Sequence, residues 1–139
     1  MKERLAPAPF FVASRPDSAP TDHALRIVQA LLVDLDGAAA ILVASTDGFE
    51  LAHGGRLRSD PARLAAMASS LAALGDTASR ETGIGPPRCL VIESNDGRLV
   101  VRGMQLRGKP VIVVVLTSHD LLIGRVWNSL AAAEARLGE

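Results

Sequence analysis

The stretch from Asp60 to Glu81 constrains this chain most, because as a helix it has two sides that want to be covered. Leu64, Met67, Ala68, Leu71, Leu74, Gly75 and Ala78 fall on one side of a 3.6-residue repeat. Ala62, Ala65, Ala66, Ser69, Ala72 and Ala73 fall on the other, and none is bulkier than Ser. Arg63, Ser70, Thr77 and Glu81 make a narrow polar stripe between them. A helix that only covers a sheet needs one apolar face. A face of small residues lets a second helix come close, near the lower end of the roughly 8–10 Å packing range. We therefore expect the first side to pack on the chain's own sheet and the second to meet its copy in a homodimer. Alanine is also simply a good helix former, which would account for the same residues without a partner.

Before this helix, a stripe of Ala24, Leu25, Val28, Leu31, Leu32 and Leu35 predicts another, capped near Thr21 or Asp22 and ended by Asp36-Gly37. Ala39 to Ala44 is an apolar run expected to be a strand covered on both faces, and Phe49 to Ala52 returns after Thr46-Asp47-Gly48. Pro61 suits the middle helix's first turn, and Gly83 lies near its end. Three further strands follow: Arg88 to Glu93, Leu99 to Met104 beyond the Asn95-Asp96-Gly97 turn, and Val111 to Leu116, expected at the centre. A last helix starts near Ser118 with Ile123, Val126, Trp127, Leu130, Ala133 and Leu137 on one stripe. Glu134 interrupts that stripe, so its final turn is expected to be frayed or exposed.

The order is α-β-β-α-β-β-β-α. Short hairpins make the five-stranded sheet mainly antiparallel, and three amphipathic helices need both of its faces. The fold class is α/β in the α+β sense. Its 139 residues suffice for one domain, taken as 20–139, behind a Pro-rich tail over 1–19 expected to be disordered or loosely attached. Phe10 and Phe11 in that tail either pack on the domain or contact a partner.

Lys plus Arg equals Asp plus Glu at 15 each, and only 3% of residues are aromatic, which argues against nucleic acid. No apolar run approaches the ~18 residues of a membrane span. The single Cys89 excludes an internal disulfide and fits a cytoplasmic setting. It lies in an apolar run, as an inert thiol would.

Gly103 to Pro110 nearly spells a P-loop, but Pro110 stands where the magnesium-binding hydroxyl belongs, and a strand follows instead of a helix. Adjacent Ser118, His119 and Asp120 cannot form an internal triad. His23, His53 and His119 lack metal-ligand spacing. We expect no catalytic residues, no cofactor and no metal, and hence no enzyme. Arg56 and Arg58, in the loop before the middle helix, are candidate contacts for a partner.

The order and spacing of these pieces resemble the Roadblock family, including its bacterial MglB-type members. The likeness is carried by Gly37 to Val43, Asp47-Gly48 with Phe49 to Ala52, and Leu64-Ala65-Ala66-Met67-Ala68. It continues through Cys89 to Glu93, Asp96-Gly97 with Arg98 to Val101, Val111 to Leu116, and Leu122-Ile123-Gly124. It covers about residues 21–138. The resemblance implies a profilin-like sandwich with the middle helix on one sheet face and the other two helices opposite. It implies a dimer joined through the middle helix, at Ala62, Ala65, Ala66, Ser69, Ala72 and Ala73, and through an edge strand at Leu90, Val91 and Ile92. It further implies a non-enzymatic regulator or scaffold of a Ras-like small GTPase, which could raise the partner's GTPase rate by reshaping its site. Activities of relatives that need a C-terminal extension are not expected of a sequence ending at Glu139. The competing expectations are a small-molecule sensor of the PAS or GAF kind and a general dimerisation module.

Overall fold

The computed structural model describes residues 12–13 and 18–138. Its elements are β1 (Val12–Ala13), α1 (Ser18–Asp34), β2 (Ala38–Ser45), β3 (Glu50–Gly55), α2 (Pro61–Glu81), β4 (Leu90–Ser94), β5 (Gly97–Leu106), β6 (Lys109–Thr117) and α3 (Ile123–Leu137). The strands form one sheet in the order β1-β3-β2-β6-β5-β4, with every neighbouring pair antiparallel. The expected α-β-β-α-β-β-β-α order and five-stranded sheet are therefore present, with β6 inside the sheet. The two-residue β1 is an addition. Val12 and Ala13, within the stretch read as a tail, pair with His53 and Ala52 of β3.

Three hairpins set the sheet's register. Arg107 and Gly108 both have positive φ, 55° and 79°, in the two-residue loop between Leu106 and Lys109. That is the backbone a primed hairpin turn requires. The P-loop-like segment is thus the tip of the β5–β6 hairpin. At the other end of the sheet, Gly55 has φ 87°, and a Cβ there would collide with the Ala39 carbonyl oxygen. Only glycine permits that close approach.

The sheet separates two cores. On one side α1 and α3 pack Ala24, Ile27, Val28, Leu31, Leu35, Val126, Leu130 and Ala133 against Ile41, Val43, Val100, Val113 and Val115. On the other, α2 packs Leu64, Ala65 and Ala68 against Leu42, Ala44, Val101, Ile112 and Val114. Successive residues of β2 alternate between the two cores, as the period of two demands. The apolar run is covered on both faces from Ala40 to Ala44, while Ala39 is exposed.

Two helix boundaries differ from expectation. α1 starts at Ser18, one turn early, because Pro20 falls in the first turn, where a missing N–H costs no helical bond. α3 starts at Ile123, since Ser118 accepts from the Asp120 amide at 3.3 Å and shapes the loop before the helix instead.

Candidate interaction surface

α2 begins where Asp60 accepts a hydrogen bond from the Ala62 amide at 3.1 Å and Pro61 takes the first helical position. It ends at Thr82, whose hydroxyl donates to the Ala78 carbonyl at 2.8 Å. Between these ends the helix is rotated relative to the sequence expectation. The sheet-facing side is Leu64, Ala65, Ala68, Leu71 and Ala72, with Gly75 also half-buried. Ala65 is fully buried and Ala72 is half-buried against the sheet, so the assignment of both to the outer side is corrected. Met67 and Leu74, expected to face the sheet, are 45% and 65% exposed. Small residues at 65, 68, 72 and 75 let the helix settle close to the strands, which leaves the two large side chains outside.

The outer side is therefore Ala62, Arg63, Ala66, Met67, Ser70, Ala73, Leu74 and Thr77, all exposed. Ser69 lies at its margin, where its hydroxyl donates to the Thr46 carbonyl at 2.6 Å and ties α2 to the β2–β3 turn. Beside α2 lies β4, the last strand of the sheet, paired to β5 alone. Leu90 is half-buried under α2, Val91 is half-buried on the opposite face, and Ile92 is exposed. The far edge of β4 carries backbone groups with no strand partner among the described residues, and an apolar edge of this kind invites another strand.

Geometry explains why α2 alone leaves the sheet incompletely covered. Five strands at ~4.8 Å spacing span roughly 19 Å between the outer two, whereas one helix is only ~10 Å across. The two-helix side matches that width. On the α2 side, Leu90, Leu99 and Leu116 stay half-buried beside the helix.

The remaining candidates are scattered. Arg56 and Arg58 are exposed in the loop after β3. Phe10 and Phe11 lie outside the described residues. His119 donates from Nε2 to the Ser94 carbonyl at 2.7 Å and stands 3.4 Å from Glu93, which also accepts from Arg98 at 2.8 Å. These contacts fasten the β4–β5 hairpin to the loop before α3, and Ser118, His119 and Asp120 do not form a relay. Among the described residues, no group of His, Cys, Asp and Glu is arranged to hold a metal ion.

Glu134 was expected to leave the last turn of α3 frayed or exposed; Ala135 and Arg136 are exposed there, but the turn is tied down. Glu134 accepts from Arg102 at 3.0 Å and from the Gln105 amide at 2.9 Å, while the Gly138 carbonyl accepts from the Arg107 amide at 2.7 Å. The end of α3 is thereby anchored to the β5–β6 hairpin.

A half-covered antiparallel sheet with an apolar helix face and an open edge strand defines an interaction domain. The sequence profile of the Roadblock/LC7 domain matches residues 25–118, and the chain belongs to that family of regulatory and interaction domains. Its fold is similar to that of Myxococcus xanthus MglB, at 16% identity over 89% of this chain and 89% of that one, with a TM-score of 0.71. It is also similar to a Roadblock/LC7 domain from Streptomyces avermitilis, at 21% identity over 80% and 91%, with a TM-score of 0.69. An MglB with a tetrameric arrangement matches at 22% identity over 87% and 89%, with a TM-score of 0.69. Identities this low speak for the fold. No curated protein matches the chain. No helix among the described residues is long and apolar enough to cross a membrane.

Proposed function

We propose that two copies of the chain associate through the outer side of α2 and the edge of β4, and that this dimer regulates or scaffolds a Ras-like small GTPase in the cytoplasm. The observation that carries the proposal is the half-covered α2 side of the sheet. Met67 and Leu74 stand outside it, with Ala62, Ala66 and Ala73 beside them. A second α2 laid against the first would shelter these side chains and Leu90. A second β4 would extend the sheet. Family membership and the MglB-like fold support the partner class.

The chain acts in this scheme without an active site of its own. It presents a rigid surface that favours one arrangement of the partner's switch segments. Light scattering during gel filtration tests the first half: the wild type should elute at twice the 14.6 kDa chain mass. Ala73→Arg should elute as a folded monomer. GTP hydrolysis by a Ras-like GTPase from the same genome tests the second half. The dimer should bind that GTPase or change its turnover, and Ala73→Arg should do neither. A wild-type monomer at micromolar concentration would overturn the assembly. A dimer without effect on any such GTPase would leave an interaction module for other partners.

A further inference from the structure

On the other side of the sheet from α2, a cleft of about 700 Å³ opens between α3 and the start of β4. It is lined by Arg88, Cys89, Arg102, Trp127, Asn128 and Ala131, with no carboxylate among the described residues that line it. Trp127 was expected in the buried stripe of α3, yet it is 47% exposed while its neighbours Val126 and Leu130 are fully buried. Arg102 is paired with Glu134. Arg88 is exposed and makes no hydrogen bond or ion pair among the described residues. The cleft thus joins an aromatic wall to Arg88, a cation with no ion-pair partner among the described residues. Trp and Arg are the residue types that most often anchor protein interfaces.

We propose that this cleft docks a short acidic peptide segment of a partner protein, with a carboxylate on Arg88 and an apolar side chain against Trp127 and Ala131. Charge decides the sign of the occupant, because an arginine fork recognises carboxylates in a bidentate way. The apolar wall favours a peptide over a free anion, which would leave Trp127 and Ala131 uncovered. The cleft lies on the face of the sheet opposite the outer side of α2, with Arg88 and Cys89 just ahead of the β4 edge used in the proposed dimer.

The chain has one tryptophan, so its intrinsic emission reports this cleft alone. The probe is a short fluorescein-labelled peptide of glutamates around one leucine, followed by anisotropy and by Trp127 emission. Saturable binding that shifts Trp127 emission and weakens as salt rises is expected. Arg88→Glu and Trp127→Ala, with unchanged circular dichroism, should each weaken the anisotropy signal at least about tenfold. Arg107→Glu, at the distant hairpin tip, should leave it unchanged. The proposal is overturned if the peptide leaves Trp127 emission unmoved, or if a lysine or glutamine version binds equally well. It is likewise overturned if Arg88→Glu binds normally, or if inorganic phosphate competes as tightly as the peptide.

Discussion

The two faces of the sheet are built to different degrees of completeness. On the α1/α3 side, Ile27, Val28, Leu31, Leu35, Val126 and Leu130 are at most 1% exposed. On the α2 side, the helix buries only Leu64, Ala65 and Ala68 among its apolar residues, while Leu74 is 65% exposed. Two helices match the width of five strands and one does not. The first face has a closed core within a single chain and opens only at its margin, in the cleft beside Trp127. The second has the composition of a core but only half its cover, and in our proposal the missing half is another copy.

The sharpest way to break this contrast is to place a charge on either side of α2. Ala65→Glu puts a carboxylate in a fully buried position with no partner to pair it. It should cost more than about 4 kcal/mol, a large part of the ~5–15 kcal/mol that holds an ordinary domain together. Loss of the helical circular dichroism signal at room temperature would show it. Ala73→Arg, two turns along and exposed, should leave that signal intact and change only the molecular mass. Equal behaviour of the two variants would remove the distinction between an inner and an outer face of α2.

The next largest effect belongs to the face with the closed core. Leu31 is 1% exposed in the core beneath α1. Leu31→Ala should cost ~2–5 kcal/mol, from lost burial and the cavity left behind. Met67→Ala, on the other side of the sheet, should cost far less in a monomer, since its side chain is 45% exposed. Urea midpoints of the two variants, each made in the Ala73→Arg background, provide the comparison. A similar loss from both would mean that the α2 side is as closed as the other.

The fold was legible wherever polarity contrast is strong. The stripe of α1 located Ala24, Val28 and Leu31, and Leu35 just beyond the helix, in the core, but it missed the fully buried Ile27 and included Leu25 and Leu32, which are half-buried. The turns at Asp47-Gly48 and Asn95-Asp96, and the run from Val111 to Leu116, mark the strands by backbone chemistry as well as by hydrophobicity. α2 was readable as a two-sided helix but not in phase. Ala lies near neutral in hydrophobicity, so a helix rich in it can rotate with little change in pattern. What selects the phase is steric: the sheet accepts Ala65, Ala68, Ala72 and Gly75 closely, and Met67 and Leu74 are displaced outward. The position i to i+7 pairs Ala65–Ala72 and Ala68–Gly75 carried that signal. Trp127 failed for a related reason, because a stripe does not reveal where the strand beneath it stops. Arg88 and Arg102, which meet Trp127 in the cleft, are far apart in sequence and became neighbours only through the sheet.

A smaller effect separates the two helices' C-terminal turns. The end of α2 closes on itself through Thr82, whereas the end of α3 is held to the β5–β6 hairpin by Glu134. Glu134→Gln keeps an acceptor for the Gln105 amide but removes the charge that faces Arg102. The cost should be about 1 kcal/mol. Hydrogen exchange should quicken at Gln105 and through the last turn of α3, and not at all in α2. Uniform quickening would make Glu134 a general contributor to stability instead of a local anchor.

The smallest expected effect lies at the helix starts. Asp60 caps α2 with its side chain, while Leu122, at the corresponding position of α3, has extended backbone angles of −68° and 138° but no side-chain capping bond. It is also 74% exposed, so replacing it disturbs little packing. Leu122→Asp supplies the missing acceptor and places a negative charge at the positive end of the helix. It should stabilise the chain by ~0.5–1 kcal/mol, and Asp60→Ala should destabilise it by a similar amount. Thermal midpoints should therefore move a few degrees in opposite directions. If Leu122→Asp instead lowers the midpoint, the exposed leucine is sheltered in solution, and the α1/α3 side is less complete than a single chain makes it look.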